Sequence, residues 1–342
     1  MHVVGIIRLV RSITLLLVCT LCLAPCKGFT QESAVAVVYH GLGEVNGATT
    51  SLSDFEGHLS LLASPKYEVL SLPQIVNSLR SDSALPEYTV AITFDGAHIS
   101  IYKEAWPRLK ALSLPFTVFV ATDLIDSEGK NYMSWDQLRE LSSAGVTIGS
   151  LGRTYGHLVT SHDPEAAAND IGYAQQRFLQ ELGGVPELFG YPFGEHSSAL
   201  QAVVARYGHA AAFGQHSGVL HPNENFLALP RYPLVGSFAH LDRFRTVAES
   251  LPLPVTDIVP VDAVIRENPP LLGFTVSKDL GTLDQLACYL ARSGQLDMEH
   301  LGPSRIEVRF SEPLEKGRSR VNCTLPGPGG RWHWFGMQLL VP

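Results

Sequence analysis

The run Tyr88-Thr89-Val90-Ala91-Ile92-Thr93-Phe94-Asp95-Gly96 constrains the fold of this chain more than any other stretch. Val90, Ala91, Ile92 and Phe94 make a near-continuous apolar segment, the pattern of a strand covered on both faces in a parallel sheet. Asp95 is the first charge, and Gly96 supplies a turn. In α/β barrels and open α/β sheets the chemistry sits at the carboxyl ends of strands, so an acid held there is a catalytic candidate. The competing expectation is an ordinary helix N-cap.

The surrounding sequence alternates in the same sense. Short apolar strands are expected at 34–39, 116–120, 146–148, 188–191 and 210–214, with a further strand-like piece at 229–231. Helical spacing falls between them, including 100–112, 165–182 and a segment opened by Ser134 as N-cap and stopped by Gly145. Strand followed by helix, repeated about seven times, predicts a parallel sheet closed into a distorted (β/α) barrel rather than an open sheet. From about residue 265 the pattern changes to alternating strands between Pro/Gly turns, at 273–276, 305–310, 318–325 and 332–341. A helix is expected within this region at 283–292. Trp332, His333 and Trp334 have two readings, as core or as a sugar-stacking surface.

The amino terminus has the order of a secretory signal: Arg8 and Arg11, an apolar run at 13–23, then Ala24-Pro25-Cys26-Lys27-Gly28. Cleavage within 24–28, lipidation at an imperfect Leu23-Ala24-Pro25-Cys26 box, and an uncleaved anchor all stay open at this point. The expected organisation is a signal peptide over 1–28, a barrel over 29–264 and a β-rich accessory domain over 265–342. The protein is thus expected to be exported, to the periplasm or beyond. Cys288 and Cys323 are then the cysteines securely in the mature chain, and an oxidising compartment predicts that they pair. A net charge of −8 without any Lys/Arg run excludes an electrostatic footprint for nucleic acid, and membrane contact is expected only through the N-terminal segment.

Three segments together resemble the polysaccharide deacetylase family, the NodB-homology deacetylases of chitooligosaccharide-like substrates. Thr93-Phe94-Asp95-Gly96-Ala97 is similar to that family's first motif, Thr-Phe-Asp-Asp-Gly. Met133-Ser134-Trp135-Asp136-Gln137-Leu138 through Ile148-Gly149-Ser150 resembles the helix and strand leading into its second motif, His-Ser/Thr-x-x-His. Tyr191-Pro192-Phe193-Gly194 is similar to the aromatic-Pro-aromatic-Gly motif that walls the substrate groove, and Val37-Val38-Tyr39-His40 resembles a strand of the secreted branch. The resemblance implies a distorted (β/α) barrel and an N-acetylglucosamine-containing oligo- or polysaccharide as partner. It also implies Asp95 as catalytic base and Tyr191, Pro192, Phe193 and Gly194 as groove wall; Trp135 and Tyr155 are expected as further substrate-binding surfaces, and if the protein is an active enzyme His40 or His157 is expected as the acid.

The departures are as informative as the matches. In the family, a second Asp and the two motif-two histidines hold a divalent metal, usually zinc; the resemblance puts those positions at Gly96, Leu151 and Tyr155. Gly and Leu offer no donor, and a neutral Tyr is a poor zinc ligand. Zinc moves the pKa of its water from about 15.7 to about 7, roughly 12 kcal/mol toward hydroxide, although bound hydroxide is the weaker nucleophile. A lone general base contributes about 10²- to 10⁴-fold, roughly 3 to 5 kcal/mol. Asp95 alone therefore cannot replace the metal. The sequence is expected to encode a glycan-binding pseudo-deacetylase with no metal cofactor; the alternative is an active carbohydrate N-deacetylase, a hydrolase of non-peptide C–N bonds, using Asp95 and a rearranged metal site.

Overall fold

The computed structural model describes residues 30–43, 49–127, 129–159 and 164–342, and the expected signal segment lies outside the described residues. Its main sheet contains β1 Val35–Tyr39, β2 Thr89–Asp95, β3 Phe116–Val120, β4 Thr147–Ser150, β5 Leu188–Gly190, β6 Ala211–Phe213 and β7 Tyr232–Pro233. They are parallel throughout and ordered β7-β1-β2-β3-β4-β5-β6, with the short strand Glu68–Val69 alongside β2. Between β6 and β7 the chain crosses from one end of this sheet to the other: Leu229 bridges Phe213, and three residues later Tyr232 pairs with Val37 of β1. This irregular crossing brings the sheet ends together into the distorted barrel that the strand spacing predicts.

The helices α1 Leu52–Leu62, α2 Leu72–Arg80, α3 Trp106–Ala111, α4 Thr122–Asp126, α5 Trp135–Ser143, α6 Pro164–Leu182, α7 Ser198–Arg206 and α8 Leu241–Ala248 occupy the connections. Ser134 caps α5 in a reciprocal box with Gln137, and Gly145 follows its end at φ 87°. Strand β2 separates its two faces by residue size. Val90, Ile92 and Phe94 pack outward with Phe55, Leu59 and Leu109. Ala91 faces the other way, into the cluster formed by Phe119, Leu151, Phe213 and Leu229. By strand alternation Thr93 and Asp95 share that inner face. Small inward residues leave the room that the large side chains of neighbouring strands fill.

The C-terminal region is a second, separate core. One sheet contains β8 Val255–Val259, β9 Leu272–Val276, β11 Asp297–Leu301 and β12 Arg305–Arg309; the other contains β10 Ala287–Leu290, β13 Gly317–Pro326 and β14 Trp332–Val341. Leu272, Phe274, Ile306 and Val308 of the first pack with Val321, Cys323, Leu325 and Leu339 of the second. The expected helix at 283–292 is instead strand β10, because its backbone pairs with β13 and Cys288 is bonded to Cys323, its cross-strand partner. Tertiary pairing overrides local apolar spacing there. Closing a loop of this length contributes about 4 kcal/mol on the chain-entropy account.

Of the C-terminal aromatics, Trp334 stands edge-on to Tyr232 of the barrel at 5.4 Å, with Arg243 over its ring and Asn322 accepting its Nε1–H. It is interface, not a sugar platform. The two cores touch closely: a side chain at Gly336 would meet the Ser217 carbonyl at 2.0 Å, and Arg331 pairs with Glu87 at 2.8 Å.

Beneath β1, His58 of α1 accepts from the Tyr39 hydroxyl at Nδ1 (2.9 Å), donates from Nε2 to the Ala239 carbonyl, and stacks on Phe244 at 4.0 Å. Burial pushes its pKa down to about 4. The unfolded ring titrates near 6.5, so the unfolded chain takes up the proton first. Stability present above about pH 6.5 is therefore lost as pH falls toward 4, by on the order of 3 kcal/mol at most. Thermal unfolding between pH 7 and 4.5 should show this decline, and a His58→Gln variant should show a shallower one.

Candidate functional site

Asp95 ends β2 with its side chain fully buried, and its carboxylate is held by three donors. Arg231 Nη1 donates to Oδ1 at 2.7 Å and Nη2 to Oδ2 at 2.9 Å, a two-pronged ion pair. Gln215 Nε2 donates to Oδ2 at 3.0 Å. The same amide reaches His40 Nε2 at 3.2 Å, so His40 is joined to Asp95 through Gln215 rather than directly. Arg231 is itself fully buried, donating from Nε to the Gly214 carbonyl at 3.0 Å and from Nη1 to Thr93 Oγ1 at 3.2 Å, with the Phe119 ring 4.9 Å away. It lies between Leu229 and Tyr232, on the crossing that joins the two ends of the barrel. Burial lowers the pKa of His40, which leaves it a neutral ring at pH 7.

The positions that the family resemblance assigns to metal ligands do not fit a metal. Gly96 sits at φ 97° with nothing within 4 Å of where a Cβ would be. Leu151 is fully buried in the inner core beside Phe119. Tyr155 is kept a neutral phenol by burial and by the negative charge of Asp95, which together raise its pKa well above the ordinary value. Among the described residues no three His, Cys, Asp or Glu side chains are grouped so as to share an ion. His98, on the turn after Asp95, bonds Ser100 Oγ at 2.8 Å.

The loop carrying these positions is organised around a different acid. Asp170 of α6 accepts from the backbone amides of Arg153 (2.6 Å) and Thr154 (3.1 Å) and from Thr154 Oγ1 (2.8 Å). Gly152 adopts φ 77°, and a Cβ there would meet Asp170 Oδ1 at 2.3 Å, so both conformation and space demand glycine.

Of the expected substrate wall, only part faces outward. Tyr191 is fully buried, its hydroxyl donating to the Leu227 carbonyl at 2.8 Å and its ring packed on Phe189 and His196, which corrects its expected place on the groove surface. Pro192 and Gly194 are buried as well. Phe193 at φ 58° turns against this run and is left partly exposed, with Tyr155 at 5.0 Å and His157 stacked on it at 4.3 Å. His157 is held to this wall by the buried Glu195, whose Oε2 lies 2.8 Å from Nδ1. Trp135 lies elsewhere: its Nε1 donates to Asp126 at 2.7 Å and its ring meets Phe178 edge-on. It lines an open depression of about 790 Å³ that includes Tyr132 and Lys103 but none of Asp95, His40, Tyr155 or Phe193.

The structure thus brings together Asp95 and His40, with Tyr155 near enough to feel the charge of Asp95 and packed in turn against Phe193 beside His157. Arg231 and Glu195 were missed as site residues by sequence reasoning. An arginine amid Leu227-Ala228-Leu229-Pro230 and Tyr232 was the available signal, since a cation inside an apolar run requires a buried acid.

Removing one member of this pair leaves the other charge buried and unpaired. Asp95→Ala and Arg231→Met should each lower unfolding free energy by about 3 to 5 kcal/mol. The double variant Asp95→Leu/Arg231→Met should be less destabilised than the sum of the singles, as chemical denaturation of all four proteins would read.

Residues 82–212 match the sequence model described as "Polysaccharide deacetylase". Over 241 residues the chain is 21% identical to the poly-beta-1,6-N-acetyl-D-glucosamine N-deacetylase of Staphylococcus aureus, a match covering 62% of this chain and 83% of that protein. Its fold is shared with the deacetylase PplD of Streptococcus pyogenes at a TM-score of 0.59 and 17% identity, over 64% of this chain and 98% of that one. It is likewise shared with IcaB from Ammonifex degensii at a TM-score of 0.58 and 19% identity, over 65% and 100% of the two chains. The barrel topology agrees with this match, and residues 82–212 form a domain of the polysaccharide deacetylase type.

Proposed function

We propose that this protein is a non-hydrolytic member of the family that binds N-acetylglucosamine-containing glycans of the cell envelope. The observation that carries the reading is the substitution of all three expected ligand positions by Gly96, the core residue Leu151 and the neutral phenol Tyr155. The commitment of Asp95 to Arg231 and Gln215 supports it, because a carboxylate already serving as half of a buried ion pair is poorly placed to drive amide hydrolysis alone. What remains is a partly exposed aromatic wall of Phe193, Tyr155 and His157, suited to stacking on a sugar face. The substrate class follows the name of the Staphylococcus aureus relative.

Export and the division into leader, barrel over 29–264 and accessory region belong to the same proposal. The Cys288–Cys323 bond is the form expected outside a reducing cytosol. No helix among the described residues is long and apolar enough to cross a membrane.

Purified mature protein should bind chitooligosaccharides in calorimetry yet release no acetate from them above background, with or without added zinc. Gly96→Asp alone should not change that, since Leu151 and Tyr155 still leave an ion a single ligand of the set. Metal-dependent acetate release by the unaltered protein would establish the active-deacetylase alternative instead.

A further inference from the structure

The C-terminal sheet contributes side chains to the aromatic wall. Along β13 the residues alternate: Val321, Cys323 and Leu325 enter the C-terminal core, whereas Arg318, Arg320 and Asn322 lie on the opposite face, where Asn322 borders Gly336 at the contact with the barrel. Arg318 Nη1 and Gln338 Nε2 both donate to the Phe193 carbonyl at 3.2 Å, and the Arg318 guanidinium lies 5.2 Å from the Phe193 ring. Phe193 therefore holds its left-handed backbone between its own loop and two strands, β13 and β14, more than a hundred residues away.

The charges on this face do not balance. Asp95 is matched by Arg231, and Glu195 is shared between His157 and Arg318, whose Nε is 3.4 Å from Oε1. Arg320 is left with a neutral neighbour: its Nε donates to Gln338 Oε1 at 3.2 Å, and among the described residues no carboxylate forms an ion pair with it. It is partly buried, and burial together with the nearby Arg318 lowers its pKa to about 10, which leaves it a full cation at neutral pH. Placing an unpaired guanidinium on a partly buried interface is costly unless something supplies the anion. In a protein of net charge −8, every carboxylate of the described residues nonetheless stays out of ion-pair range of this arginine.

We propose that Arg320, flanked by Arg318 and Gln338, is a recognition point for a sugar carboxylate, so that the glycan held against Phe193 is an acidic one. The inference rests on the glycan-binding reading above and deepens it. One uncompensated unit charge matches a monoanion, and the planar guanidinium fork matches the two oxygens of a uronate. The accessory region then acts as a specificity element built into the groove wall rather than as a separate binding module.

Two probes of equal length separate the outcomes: a hyaluronan tetrasaccharide, alternating N-acetylglucosamine with glucuronate, and N-acetylchitotetraose, which is neutral. In calorimetry on the mature chain the acidic probe should bind about tenfold more tightly at low salt, an advantage that shrinks as salt screens the pair. Arg320→Gln should remove that preference while leaving the affinity for chitotetraose unchanged, and Arg320→Lys should retain part of it. Unchanged chitotetraose binding also verifies that the variants are folded. Equal affinity for the two probes, or a preference that survives Arg320→Gln, overturns the carboxylate site and leaves glycan binding standing. Failure of the unaltered protein to bind either probe overturns both.

Discussion

The ion pair between Asp95 and Arg231 is the interaction on which the rest of this barrel depends. Asp95 closes strand β2 in the interior of the sheet, and Arg231 arrives on the irregular crossing that joins β6 to β1, so the pair ties that crossing to the middle of the sheet. Neither charge has solvent to fall back on. Thr93, Gly214 and Gln215 satisfy the remaining hydrogen-bonding capacity, which is the condition under which a buried pair is tolerated at all. An acid that the sequence marks as a reactive group is, in the folded chain, also a structural tie.

This double identity explains which features were legible beforehand. A strand's carboxyl end is written locally, in the switch from Val90 through Phe94 to Asp95, and so is the cap at Ser134. Arg231 is a partner 136 residues distant, and nothing near either residue names the other. The aromatic motif shows the same limit. Tyr191 and Phe193 read alike in sequence, but the left-handed turn at Phe193 sends one ring outward while strand alternation buries the other. The segment 283–292 was misread because its apolar spacing suits a helix, whereas pairing with β13 and a disulfide decide in favour of a strand.

The accessory sheet changes how the candidate groove is bounded. Through Arg318 and Gln338 it grips the backbone of Phe193, and through Trp334 and Gly336 it packs against β7 and Ser217. Contacts of this closeness couple the two cores, so that disturbance of the C-terminal sandwich reaches the aromatic wall without touching the barrel strands. The disulfide within that sandwich thus supports the wall at one remove.

The Asp170 clasp on the loop 152–155 bears on how an ion could be accommodated there. Its hydrogen bonds require glycine at 152, where the family pattern carries a hydroxyl residue, and any side chain there strikes the carboxylate. Histidines introduced at 151 and 155 would therefore enter a loop whose shape is dictated from α6. Reshaping the loop around an ion would mean changing Asp170 together with those positions. The clasp thus sets the shape of this loop independently of any ion, so the loop's geometry is a property of α6 as much as of the strand it follows.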